Sequence, residues 1–155
     1  MSLSGSILLT VHDDEMPVEA AAVVAGLEAA NEQVAALRDV RPLSVFVRDP
    51  GGLVIGGAVG RTWGDCCELR YLWVEARQRG NGIGTRLLRA LEARATERNC
   101  RLVYLETFSF QARPFYEGLG YQVALEITGF AAGVSKCIMT RRLAVDRARL
   151  DPGVE

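Results

Sequence analysis

The chain holds one lysine, Lys136, and one histidine, His12, in 155 residues. A Walker A phosphate loop needs a lysine directly after its last glycine, and Lys136 follows Ser135, so that class of nucleotide site is excluded. Long hydrophobic runs are missing as well. The longest early stretch is Ile7-Leu8-Leu9, with Asp13-Asp14-Glu15 soon after, which suits neither a signal peptide nor a membrane span. The expectation is a cytoplasmic protein with no membrane partner. An excess of one charge is also lacking: the net charge is -1 and the pI about 5.9, so nothing points to a nucleic acid or an anionic surface. The partner is expected to be small.

The four cysteines lack metal-ligand spacing. Cys66 and Cys67 are adjacent in an expected strand and so face opposite ways, and neither Cys100 nor Cys137 supplies ligand spacing. They read as buried, reduced thiols, with no metal. His12, just before the acidic run, reads as a solvated loop residue.

What is present is a chain long enough for one domain over residues 1–155, which at this size buries roughly 70% of the surface its unfolded form exposes. Ser6 to Val11 reads as a first strand, and Pro17 opens a helix through Ala30 with Asp13, Asp14 and Glu15 at its positive end. Glu32 to Leu37 suggests a short second helix. Leu43 to Arg48 and Leu53 to Arg61 read as a hairpin, with a bulge expected at Gly56-Gly57. A strand follows over Cys66 to Val74. The helix from Gly82 to Arg98 sets Ile83, Leu87, Leu88, Leu91 and Ala95 on its inner face, with Arg86, Arg89, Glu92, Arg94 and Arg98 outside. The strand Arg101 to Thr107, a short helix stopped by Gly118 and Gly120, and a hairpin of Tyr121 to Thr128 with Ser135 to Leu143 complete the pass. Residues 144–155 read as a charged tail.

The most informative stretch is Leu72-Trp73-Val74-Glu75-Ala76-Arg77-Gln78-Arg79-Gly80-Asn81-Gly82-Ile83-Gly84-Thr85, an apolar strand, a glycine-alternating turn and a helix start. Glycines let successive backbone N–H groups converge, and the helix N-terminus adds partial positive charge, so a diphosphate is the natural occupant. Arg77 and Arg79 add mobile positive charge. A dinucleotide fingerprint would need glycine where Thr85 or Leu87 stands, and it fails.

A second motif lies downstream: Ala112-Arg113-Pro114-Phe115-Tyr116-Glu117-Gly118-Leu119-Gly120-Tyr121. Together, Arg79-x-x-Gly82-x-Gly84 and Ala112-x-x-Phe115-Tyr116-Glu117-x-Leu119-Gly120-Tyr121 resemble the GNAT superfamily of N-acetyltransferases. The resemblance spans residues 43–143 by motif and element order, and residues 5–42 by element order alone. It implies an α/β (α+β) fold, a single domain with a mixed, mostly antiparallel sheet of six to seven strands flanked by helices. It further implies acetyl-CoA as acyl donor and a small-molecule primary amine as acceptor, with a homodimer left open.

The same resemblance implies roles. The pantetheine arm would lie between the strands ending at Val74 and Thr107, a backbone N–H of Trp73 or Val74 would meet the oxyanion, and Leu72, Arg77, Arg79, Gly80, Asn81, Gly82, Ile83, Gly84, Thr85 and Phe115 would hold the coenzyme. Many family members have asparagine three residues before the alanine of the second motif. Here Ser109 stands there, and Ser109 or Gln111 substitutes. Tyr116 holds the position of the acid that protonates the leaving thiolate, expected at the ordinary tyrosine pKa of about 10. Glu68 and Glu106, carboxylates inside apolar strands, are candidates for the base that takes the amine proton, or else pair with Arg70 or Arg101. A protein N-terminal or lysine acetyltransferase, and a non-catalytic acyl-CoA-binding module, are the alternatives.

Overall fold

A computed structural model describes residues 7–13 and 17–144, so the expected tail lies beyond the described residues apart from Ala144. The chain divides into two compact units, 1–35 and 36–155. The first contains helix α1, Ala20–Asn31, a run of good helix formers entered by a turn in which the Ala20 N–H donates to the Pro17 carbonyl at 2.9 Å. Residues 7–11, expected with Ser6 as a first strand, carry no ladder pairing, and an apolar run without a partner strand is not a strand. Helix α2, Ala35–Arg38, starts three residues later than the pattern suggested and ends before Pro42.

The second unit is built on β1 (Arg41–Arg48), β2 (Val54–Trp63), β3 (Cys66–Val74), α3 (Ile83–Glu97), β4 (Leu102–Phe108), α4 (Arg113–Gly118), β5 (Gln122–Ala131) and β6 (Val134–Arg142). The strands form one six-stranded sheet in the order β1-β2-β3-β4-β6-β5. Every pairing is antiparallel except β3 with β4, the two strands joined through α3. Among the described residues no helix is long and apolar enough to cross a membrane.

The core lies between α3 and one face of the sheet. Leu87, Leu88 and Leu91 from α3 meet Cys67, Val103, Leu105, Cys137 and Met139 from the strands, all at 2% exposure or less. Each such leucine contributes about 2 kcal/mol by leaving water. Glu92 corrects the helical-wheel reading. Expected on the solvent side, it is 4% exposed, because its carboxylate accepts from the Tyr121 hydroxyl at 2.9 Å and pairs with Arg89 and Arg141 at 2.7 Å each. Arg89 is one turn away on the same helix, but period alone cannot show Tyr121 and Arg141 arriving from other elements, and without partners burying that charge would cost several kcal/mol.

Candidate active site

The site begins with one extra residue. In the β2–β3 ladder Val59 pairs with Tyr71 and Gly60 with Leu69, so Arg70 is a bulge. The bulge expected around Gly56-Gly57 lies beside them in the β1–β2 ladder, where Val47 pairs with Gly56 and Arg48 with Val54 so that Ile55 is extra; toward β3 both glycines pair regularly with Val74 and Trp73. Gly60 is what the Arg70 bulge requires: a Cβ at that position would run into the Glu68 carbonyl oxygen. A bulge bends its strand and flips the alternation of side chains. Leu69 faces the core before it and Leu72 and Val74 face the core after it, while Glu68, Tyr71 and Trp73 share the opposite face.

The bend opens the sheet. Parallel pairing of β3 with β4 ends at Leu69 and Leu105, although β3 continues along β2 to Val74 and β4 continues along β6 to Phe108. Into the gap opens a cavity of about 920 Å³, walled by Leu69–Val74 on one side and Leu105–Thr107 on the other. Gly80, Gly82, Ile83, Gly84 and Thr85 close one end, and Gln111, Ala112, Phe115 and Tyr116 line the flank.

The turn before α3 has the backbone its glycines foretell. Gly80 and Gly82 take φ of 79° and 74°, the left-handed region where a side chain is strained, and Gly82 is the helix N-cap with no side-chain oxygen spent on it. Gly84 is different. Its φ is ordinary, but a Cβ there would stand 3.3 Å from the Phe115 ring, so it is small to admit the second motif against the first. The Arg79 Nε–H donates to the Val74 carbonyl at 3.0 Å, tying the cradle back to the end of β3.

Tyr116, on the short α4, is 6% exposed and lines the cavity, with its ring edge-on to Phe115 at 5.2 Å and Tyr121 at 5.7 Å. Burial pushes its pKa up to about 12, which corrects the expectation of an ordinary value. Its proton therefore stays on oxygen throughout the physiological range.

Most residues named from the cradle and the second motif meet in this cavity, including Leu72, Trp73, Val74, Arg79 and Gln111. Arg77, Asn81 and Ser109 do not line it. Ser109 faces β6 instead: its Oγ accepts the Ser135 N–H at 3.1 Å and its own N–H donates to the Ser135 carbonyl at 2.8 Å. Gln111 Oε1 accepts the Phe108 N–H at 3.1 Å, closing the turn after β4. Phe110 lines the cavity, whereas Phe108 stacks on Phe110 at 5.5 Å and meets Phe130 edge-on at 5.3 Å.

A second cavity, of about 240 Å³, shares Leu69, Arg70, Tyr71, Leu105 and Glu106 with the first and adds Glu68 and Tyr104. The two thus meet where the strands part. Neither carboxylate has the partner expected for it. Glu68 pairs with Arg61 at 2.5 Å and Glu106 with Lys136 at 2.5 Å, while Arg101 pairs with Asp65 at 3.6 Å. Each true partner stands across a ladder, Arg61 opposite Glu68 and Lys136 one strand over from Glu106, and no sequence spacing encodes that register. Arg61, Tyr104 and Lys136 were therefore missed; only their parity with Trp63, Glu68 and Glu106 hinted at a shared face.

The cysteines are free, as expected, although Cys66 is half-buried rather than buried. Burial raises the Cys66 and Cys100 thiols and pushes Cys67 up to about 12, which keeps them protonated and unreactive.

Comparison with known proteins reaches the same region of the chain. The Acetyltransferase (GNAT) family matches residues 10–121. Blasticidin-S acetyltransferase of Streptomyces morookaense is 35% identical over 109 residues, 68% of this chain and 80% of that protein. An acetyltransferase of Agrobacterium fabrum is 30% identical over 104 residues, 67% of this chain and 76% of that protein. The crystal structure of an acetyltransferase from Bacillus cereus superposes with a TM-score of 0.75 at 26% identity, covering 86% of this chain and 98% of that one.

Proposed function

Because this chain belongs to the acetyltransferase (GNAT) family, we propose that it transfers an acetyl group from acetyl-CoA to a primary amine of a small molecule by direct attack on the thioester. The observation that carries the reading is the parting of β3 and β4 at Leu69 and Leu105, with a long cavity on one side and a small one meeting it at the same point. The long cavity suits an extended donor ending in a diphosphate at Gly80–Thr85. The small one has room for the reacting end of a compact acceptor and supports a small molecule over a peptide. The relative from Streptomyces morookaense, an acetyltransferase by name for the antibiotic blasticidin S, favours the same class.

In this reading the amine nitrogen attacks the thioester carbonyl carbon, a C–N bond forms, and the C–S bond breaks. A backbone N–H of Trp73 or Val74 receives the oxyanion. Tyr116 gives its phenolic proton to the departing thiolate. Burial makes Tyr116 a weaker acid than an exposed tyrosine, but the same dry surroundings raise the basicity of the thiolate beside it. The proton released by nitrogen leaves through Glu68 by way of water, with Glu106 as the second candidate and the solvent as recipient.

The test is release of free CoA thiol against a panel of amines and peptides, with calorimetric CoA binding alongside. Turnover is expected with small amines and not with peptides, and Gly84→Val, which presses on Phe115, is expected to abolish CoA binding while the fold still melts cooperatively. Undiminished CoA affinity in that variant would remove the cradle, and failure of every amine would remove acetyl transfer.

A further inference from the structure

Trp63 and Tyr104 come from β2 and β4, with β3 running between them, and both project from the sheet face opposite α3. Tyr104 is opposite Glu68 in the parallel ladder and lines the small cavity with Glu68, Tyr71 and Glu106. The Trp63 indole donates its Nε1–H to the Tyr104 hydroxyl oxygen at 3.2 Å. An indole N–H is a donor only, so Tyr104 must accept in that bond and direct its own proton elsewhere. Among the described residues it meets no acceptor for that proton.

The indole itself is held. The Arg61 guanidinium carbon stands 4.3 Å from its ring centre, and the Arg61 Nε–H donates to Glu68 at 2.5 Å. Glu68, Arg61, Trp63 and Tyr104 therefore form one chain of contacts across three strands, ending in a phenolic donor in the wall of the small cavity. Burial raises the Tyr104 pKa, with the Trp63 hydrogen bond working against it, so the group is a neutral phenol at physiological pH. A donor fixed in a cavity wall without a protein acceptor is a recognition element: it favours a ligand that supplies an oxygen there and disfavours one that leaves it unpaired.

Resting on the acetyl-transfer reading above, we propose that Tyr104 is an acceptor-recognition residue whose O–H donates to an oxygen of the acceptor. Tyr104 is level with Glu68, five residues along β3 before Trp73, so the acceptor is an amine bearing a hydroxyl or carbonyl group several bonds from its nitrogen rather than a plain alkylamine. Trp63 is the positioning residue that aims this hydroxyl.

The experiment compares matched amines long enough to span from Trp73 to Tyr104, 6-aminohexan-1-ol with n-heptylamine and 8-aminooctan-1-ol with n-nonylamine, as kcat/KM on the neutral amine so that differences in basicity drop out. The wild type is expected to prefer the oxygen-bearing member of each pair by about tenfold, the worth of one well-placed hydrogen bond. Tyr104→Phe should bring the ratio close to one by raising KM for the oxygen-bearing amine, with KM for acetyl-CoA unchanged. Trp63→Phe keeps a ring beneath Arg61 but lacks the N–H, and should fall between. A ratio that survives in Tyr104→Phe, or is absent in the wild type, overturns the assignment. If no amine gives thiol release although CoA binds, the acetyl-transfer reading falls separately. Calorimetric binding of the same pairs to the CoA-loaded protein and its Tyr104→Phe variant still decides Tyr104, because this bond precedes chemistry.

Discussion

The two cavities that meet at Leu69 and Leu105 are built from different materials. The large one is mostly a matter of backbone: two glycines in left-handed conformation, a third small enough for Phe115 to approach, a helix start, and a strand edge left without its neighbour. The small one is a matter of side chains, Glu68 with Arg61, Glu106 with Lys136, and Tyr104 with Trp63, each contact crossing from one strand to another. A backbone-built site suits a ligand that never changes, and a side-chain-built site can be respecified by single substitutions without disturbing the sheet. Under the proposed function, donor binding and acceptor choice should therefore be separable by mutation.

The largest effect should come from the one position on which both cavities depend. Gly60→Ala would drive a methyl group into the Glu68 backbone, so the bulge at Arg70 must give way and the strands lose their parting. A loss of about 3 kcal/mol or more in a denaturant melt is expected, with CoA binding and turnover failing together. A variant of normal stability that still bound CoA would break the claim that one bulge makes both sites.

Next in size is Tyr116→Phe, which keeps the edge-on packing with Phe115 and Tyr121 and removes the proposed proton donor. We expect kcat to fall by about 10²-fold with KM for acetyl-CoA unchanged. Stability carries a separate signature. Tyr116 has its pKa raised in the folded state, so its contribution is complete below the unfolded value near 10 and is lost as pH rises toward about 12. Tyr121 is raised as well, by burial and by Glu92, and acts in the same direction. The wild-type melting temperature should thus drop steeply above pH 10, and less so in Tyr116→Phe; a flat alkaline profile in the wild type would contradict the burial of both rings.

The smallest effect sharpens the contrast from the other side. Glu68→Gln should lower turnover at neutral pH by about tenfold and leave CoA affinity untouched, with Glu106→Gln doing less. Glu106 borders both cavities whereas Glu68 borders only the small one, so Glu68→Gln is the cleaner probe. Equal, wild-type rates and pH profiles in both variants would leave solvent as the proton's destination.

Much of the large cavity was legible because its determinants are local. Cys66–Val74 was bounded to the residue, the alternating glycines announced a turn without Cβ atoms, and Leu87, Leu88 and Leu91 marked the buried stripe of α3 by period alone. What escaped was non-local. The second bulge, at Arg70 opposite Gly60, was not announced, because it depends on how β3 registers against β2. Glu92 is buried because Tyr121 and Arg141, from outside α3, join Arg89 on it. Ile7-Leu8-Leu9 has the apolar content of a strand but no ladder among the described residues.

By itself, then, the sequence determined the order of elements from β1 onward, the glycine turn before α3, the placement of Tyr116 after β4, and the family to which these belong, since each is written in neighbouring residues and short-range sterics. Only the tertiary structure decided which charges pair, where the sheet parts, and that Trp63 aims Tyr104. Those outcomes depend on strand register, and register is set by the packing of the whole sheet against α3 rather than by any one segment.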